Sequence, residues 1–521
     1  MNFEESDYML VETAKDQICI NQLIGQKREM LEAEGDVIVN DVKPDVLKII
    51  SSSGTACVYK KEVLEGKIRL DGSINTYIMY LADDENGSVR SLNTVLDFTK
   101  FIDIDNCKPE MILDEQVMVK SFECNILNSR KISVKAHIEM DVKIYSNENI
   151  EIISNIEELE HIQVLKKQAT ISSLMGQGSS RTYAKESIAV DGTDDLAEIM
   201  QARVRITGKE AKVSYNKVLV KADLDVDTMY LTEDNRINTV SSKLPIMGFV
   251  DIPNVSDDNI CDVKCKLKNL IIKPNNGETH SIYIEAEIEL VCFVYEEKSI
   301  GIIEDLYSIS SDLKCRKREV RTMTKKNYQK ERCNIKQQLA VPEIGASKIY
   351  HIDVKPNIIT MQRQSGKVMI EGDAKLEFLF ESGNSVNTKD MTIPFTFEVE
   401  SEMAIDGMEL EAHMELTKET FIIISDGNIE TDIDLDFSLA FSKDRNLEVL
   451  EEIEVEESKE NNIYSMVVYF VKPEDSLWKI AKKLKSTMAD ILRVNELEDG
   501  KVRQGQQLYV PKYVSGSTQS A

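Results

Sequence analysis

The sequence predicts a mainly β protein: three repeated antiparallel β-sandwich-like units followed by a small βααβ domain. Three observations carry that expectation. Short blocks recur at intervals of roughly 150 residues, far beyond the ~20–50 residues of a solenoid repeat. Each unit closes on a run of strict apolar–polar alternation. The C-terminal end instead places two short helical patterns between two β-branched runs.

The repeat is read from matching blocks. Gly66-Lys67-Ile68-Arg69-Leu70-Asp71-Gly72 returns as Gly366-Lys367-Val368-Met369-Ile370-Glu371-Gly372, and Asp41-Val42-Lys43-Pro44 as Asp353-Val354-Lys355-Pro356. A copy between them is marked by Met79-Tyr80-Leu81 against Met229-Tyr230-Leu231, and by Phe101-Ile102-Asp103-Ile104 against Phe249-Val250-Asp251-Ile252. Cys19-Ile20-Asn21-Gln22-Leu23 is echoed by Cys333 to Leu339. Closing strands are expected at Ile132–Ile144, Ile282–Leu290 and Ile433–Phe441, where alternation implies one buried and one wet face. Asp71-Gly72, Asn86-Gly87, Asn276-Gly277, Ser382-Gly383 and Asp426-Gly427 read as hairpin turns. The units are expected at 1–150, 151–312 and 313–447.

Composition narrows the function classes. The 521 residues carry a net charge of −28, which repels nucleic acid and anionic lipid. From Tyr464 to Tyr513, nine Lys/Arg face six Asp/Glu, so this segment is +3 and suits an acidic surface. A basic run from Lys314 to Arg332 opens the third unit and reads as a solvated inter-domain face, because only Tyr328 interleaves it for base stacking. A glutamate run from Glu448 to Glu460 reads as an extended acidic linker, 448–462, that leaves the C-terminal domain mobile. The first residues lack a basic and apolar leader pattern, and no apolar run has membrane-spanning length. Nine scattered cysteines suit reduced thiols, so a cytoplasmic product is expected.

No constellation for chemistry stands out. The five histidines are far apart, and Cys261-x-x-x-Cys265 lacks the partners of a zinc site. Phosphate loops, nucleophile elbows and metalloprotease motifs are missing from the sequence. The expectation is a non-enzymatic protein with no cofactor, no metal and no catalytic residues.

The C-terminal segment is the most legible. Met466–Val471 forms a strand stopped by Pro473, and Asp475 or Ser476 caps a helix with Leu477, Ile480, Ala481 and Leu484 on one face. Ser486 or Thr487 caps a second helix with Met488, Ile491 and Leu492 inward, and Gln507–Val510 closes the fold. In order and spacing this segment, 463–513, resembles a LysM module; 514–521 is expected to be a disordered tail. The resemblance implies a ligand groove between Pro473-Glu474-Asp475-Ser476 and Val494-Asn495-Glu496-Leu497. LysM modules usually have glycine where this chain has Glu474, which argues against close approach of a sugar. Trp478, the sole tryptophan, is a candidate interface anchor beside Lys482, extended by Ile463 and Tyr464. The candidate partner-binding set is therefore Ile463, Tyr464, Pro473, Glu474, Asp475, Ser476, Trp478, Lys482, Asn495, Glu496 and Leu497.

Repeated β-rich units followed by one LysM module resemble the spore-coat morphogenesis proteins of clostridia and bacilli. That resemblance implies a mother-cell assembly scaffold at the forespore surface, tied to a SpoIVA-like coat-basement ATPase and to other coat proteins. Binding to peptidoglycan or cortex glycan stays open as the alternative.

Overall fold

The computed structural model describes residues 13–512 apart from 86, 157–160, 191–194, 276–279, 343, 345–347, 365, 383–384, 426, 458–464 and 498–499. Three units of one design fill most of it. The first has β1 (Thr13–Ile38), β2 (Val46–Leu64), β3 (Lys67–Ala82), β4 (Val89–Asp103), β5 (Ile112–Asn128) and β6 (Lys131–Ile156). The second has β7 (Ile162–Ala189), β8 (Leu196–Ser214), β9 (Lys217–Thr232), β10 (Ile237–Asp251), β11 (Ile260–Pro274) and β12 (Ser281–Ser308). The third has β13 (Ser311–Ala340), β14 (Ile349–Gln364), β15 (Lys367–Ser382), β16 (Ser385–Glu400), β17 (Glu409–Ser425) and β18 (Asn428–Glu457). Every unit pairs its strands into two three-stranded sheets. These are β1-β6-β5 with β2-β3-β4, β7-β12-β11 with β8-β9-β10, and β13-β18-β17 with β14-β15-β16.

The alternating runs become the central strands of the first sheets, where pairing on both sides and one apolar face bury them fully. Ile132, Val134, Ala136, Ile138, Met140, Val142 and Ile144 have no exposed surface, nor do Ile433, Leu435, Phe437, Leu439 and Phe441. The Gly66 and Gly366 blocks are structurally equivalent. Both glycines adopt positive φ (70° and 81°), and in the second unit Asn216 takes the same place at φ 60°. The chain makes the same turn at each, with the backbone N–H of Ile104, Ile252 or Ser401 donating to the carbonyl of that residue. Asparagine tolerates the left-handed region better than most residues.

Asp71-Gly72 is not a turn: it lies inside β3. Gly72 is paired across the sheet with Phe98, and Gly372 with Phe395. A Cβ at either glycine would meet that ring at 2.3 or 2.4 Å, so the glycine makes room for the aromatic. The second unit solves the same packing with Ala222 opposite Ile246. Two other sequence echoes also dissolve. Asp41–Pro44 connects β1 to β2, whereas Asp353–Pro356 is mid-strand in β14. Cys19 lies where β1 pairs with Asn149, outside its sandwich, while Cys333 faces Leu435 inside the third core.

The first and last strands of each unit overshoot the sandwich and pair as a two-stranded ribbon. Each ribbon leaves at a β-bulge, between Leu23/Gly25, Val294/Tyr295 and Met323/Lys325. The three ribbons pack together as a stalk. Its interior takes Ile18, Ile20, Ile150 and Ile152 from the first unit, Ala169, Ile171, Ile300 and Ile302 from the second, and Val320, Leu447 and Val449 from the third. Further out, Ile153, Ile156, Ile303, Leu306 and Leu450 continue it.

The stalk corrects the expected boundaries. The first unit runs on to Ile156, and the third runs from Ser311 to Glu457. Glu448–Glu457 is not a tether but the end of β18, paired with the basic run in β13: Arg316 opposes Glu452 and Lys314 opposes Glu454. Ion pairs Arg316–Glu452 (3.3 Å) and Lys317–Glu448 (3.0 Å) join the two runs, and Arg318–Glu148 (2.8 Å) reaches the first unit. Opposite charges facing across a ladder stabilise it, so the two runs neutralise each other.

The sandwiches also interlock. Lys61 binds Glu115 and Glu289, and Lys266 binds Asp114 and Glu115, between the first and second units. Arg203 meets Asp227 (3.2 Å), Asp353 (2.6 Å) and Glu419 between the second and third.

After the stalk come β19 (Met466–Phe470), α1 (Leu477–Lys483), α2 (Met488–Val494) and β20 (Gln507–Pro511), with β19 and β20 antiparallel. The overall class is therefore the expected one, mainly β with three repeated antiparallel units and a βααβ domain. Among the described residues, no helix is long and apolar enough to cross a membrane, and no group of three or more His, Cys, Asp or Glu is placed to hold a metal.

Candidate protein-binding interface of the C-terminal domain

The helix caps set the site's frame. Ser476 Oγ accepts from the Lys479 N–H (3.2 Å) at the start of α1, and Thr487 Oγ1 from the Asp490 N–H (3.0 Å) at the start of α2. Leu477, Ile480, Ala481 and Ile491 are buried against Val471, Leu508 and Val510, with Leu484, Met488 and Leu492 around them.

The expected groove residues turn out to serve the fold first. Asp475 accepts from the Lys472 backbone N–H (2.8 Å) and the Tyr469 hydroxyl (2.9 Å). The Lys472 N–H holds its carboxyl below the ordinary range, and the Tyr469 hydroxyl lowers it further. Asn495 is a bolt between α2 and β20. Its amide donates to the carbonyls of Ile491 (2.8 Å) and Tyr509 (2.7 Å), and its oxygen accepts from the Tyr509 N–H (2.8 Å). Leu497 packs on the small core. Pro473, Glu474 and Glu496 remain exposed. Glu474 sits at φ 66° and Glu496 at φ 52°, and the Glu474 carbonyl accepts from the Lys479 ammonium (3.1 Å). Ile463 and Tyr464 lie outside the described residues.

Trp478 and Lys482 come together, but against the chain's own stalk. The indole N–H donates to Asp305 Oδ2 (2.8 Å) and the Lys482 ammonium to Asp305 Oδ1 (2.5 Å). Lys485 pairs with Asp312 (2.9 Å). The Tyr307 hydroxyl donates to the buried Ser486 carbonyl (2.6 Å), and its ring meets Trp478 edge-on, centroids 5.0 Å apart. Burial pushes the Asp305 carboxyl up, yet Lys482 and the indole N–H outweigh it and hold the group below its usual value. Burial also raises the Tyr307 phenol, which keeps it a donor. Tyr307 and Ile309 join the core of the C-terminal domain, so the domain is docked.

Sequence reasoning missed Asp305, Tyr307, Ile309 and Asp312. One signal was available: Asp305-Leu306-Tyr307 stands in the ladder where the third unit has Glu452-Ile453-Glu454, so an aromatic of the second unit takes the place of a charge of the third.

Docking through one face leaves another exposed among the described residues. Met466, Val468 and Phe470 point outward from β19, 49, 49 and 61% exposed, and Tyr509 lies across from Val468 at 45%. Strand alternation places them on one side of the sheet, away from the small core.

Comparison with protein families agrees with this architecture. Residues 45–127, 195–275 and 346–424 match the SipL, SPOCS domain, and residues 469–511 match the LysM domain. The SPOCS matches cover β2–β5, β8–β11 and β14–β17, so the first and last strands that build the stalk lie outside them. No curated protein and no solved structure matches the chain. The matched domains define a sporulation coat-related protein carrying a LysM module. In its domain content the chain is SipL-like, with three SPOCS domains followed by one LysM domain. Both domain types are non-catalytic binding or scaffold domains.

Proposed function

We propose that the chain is a non-enzymatic scaffold of the spore coat whose LysM domain grips a coat protein, a SpoIVA-like basement ATPase, at the forespore surface within the mother-cell cytoplasm. The observation that carries this reading is the free face of the LysM domain. Met466, Val468, Phe470 and Tyr509 offer a contiguous apolar and aromatic sheet, the kind of surface that anchors protein interfaces. The expected sugar groove supports the glycan alternative poorly. Asn495 already spends both its amide atoms, and Asp475 its Oδ2, inside the domain, and Glu474 places a carboxylate at its rim.

The test is co-purification of the ATPase with the full chain from co-expressing cells. Phe470→Glu places a charge in the centre of the free sheet and is expected to reduce capture at least tenfold, with the circular dichroism of the body unchanged. Undiminished capture sinks this use of the sheet. Pelleting of the full chain with purified cortex, unaffected by Phe470→Glu, would support glycan binding instead.

A further inference from the structure

The stalk tip recognises the LysM domain through chemistry that a protein partner can imitate. A carboxylate, Asp305, takes two donors from α1; an aromatic two residues on, Tyr307, packs on Trp478 and reaches the Ser486 carbonyl; a second carboxylate, Asp312, holds Lys485. We infer that this contact is a latch: the stalk tip is a ligand in cis for the Trp478–Lys482–Lys485 face, and it keeps that face from acidic, aromatic-bearing partners until they displace it. The idea deepens the proposed function by giving the LysM domain two faces, one always free and one released.

Two physical features favour a separable contact. The LysM domain buries Leu477, Ile480, Ala481, Ile491, Leu508 and Val510 among its own elements, so its fold has a core without the stalk. The polar clasp is partly solvated, with Lys482 44% and Asp305 30% exposed, and ion pairs of that kind are individually weak. A partner offering the same groups at higher complementarity can therefore exchange with the tip, and the charge balance suits it. The LysM segment is positive in a strongly acidic chain, so an acidic competitor is attracted to the face once it opens.

Trp478 is the chain's only tryptophan, so its fluorescence reports the latch directly. In the full chain, Asp305→Asn and, separately, Lys482→Asp are expected to raise acrylamide quenching of Trp478 at least twofold. The exchange Asp305→Lys with Lys482→Asp re-forms the ion pair without the indole acceptor and is expected to bring quenching back part of the way to the wild-type value, which mere misfolding does not. Capture of the coat protein used above is expected to rise about tenfold with Asp305→Asn, equivalent to about 1.4 kcal/mol. Unchanged quenching in both single variants overturns the latch, and so does increased quenching with unchanged capture. Should Phe470→Glu leave capture intact, the free-sheet reading fails while the quenching result still decides the latch.

Discussion

Glu474 shows how a single residue carries both a structural and a functional message. Its φ of 66° is a conformation that costs a non-glycine side chain about 1–2 kcal/mol, which explains why glycine suits the position in this domain type. Glycine also loses more backbone freedom on folding, by about 0.5–1 kcal/mol, so the two effects partly offset. Glu474→Gly is therefore expected to stabilise the LysM domain by up to about 1 kcal/mol, read as a later Trp478 fluorescence transition in urea; a loss of stability would contradict the strain argument. Sequence reading placed Glu474 in the loop between the first strand and the first helix, which is where the structure has it. It assigned Asn495 and Asp475 to a surface, because nothing local reveals that Asn495 spans to Tyr509, fourteen positions along the chain.

At the scale of elements, the charged strands are the instructive case. The basic run of β13 and the glutamate run of β18 look like a solvated face and a tether when read separately. They are the two sides of one ladder, their residues more than a hundred positions apart. Extended charged sequence is compatible with a tether or with a strand, and the choice is made by what lies opposite. A sharper case is Arg203 on β8, held between carboxylates from β9, β14 and β17. Desolvation works against the guanidinium, but Glu419, Asp353 and Asp227 together keep it firmly charged. Arg203→Ala leaves these acids only partly compensated, by Arg205 at Asp227 and Glu419 and by Lys355 at Asp353, and is expected to cost about 3–5 kcal/mol in chemical denaturation. A cost below about 1 kcal/mol would mean that the second and third units are not held by this cluster.

At the scale of the molecule, the stalk makes three repeats into one body. Each ribbon alone has an apolar side and no sheet to cover it, and the three cover one another. Ile300 sits in that shared interior. Ile300→Ala is expected to destabilise the protein by about 2–5 kcal/mol, with faster amide exchange at Ile18–Ile20 and Leu447–Val449 as well as at Ala169–Ile171. Exchange confined to the second unit would show that the ribbons are not coupled. The stalk also offers the LysM domain a seat, since β12 ends in Asp305, Tyr307 and Ser308.

By itself the sequence determined the β class, the threefold repetition and the LysM topology. The class and the LysM topology follow from periods of two and 3.6, from turn residues and from caps, all of which act over a few neighbouring positions, and the repetition from matching blocks such as Gly66–Gly72 and Gly366–Gly372. It also set Trp478 and Lys482 on one surface beside the buried stripe of α1. Only the tertiary structure decided what that surface touches, where the units end, and that the charge runs cancel. Those outcomes depend on which strands lie opposite one another, a choice made by burial and electrostatic pairing over separations of more than a hundred residues.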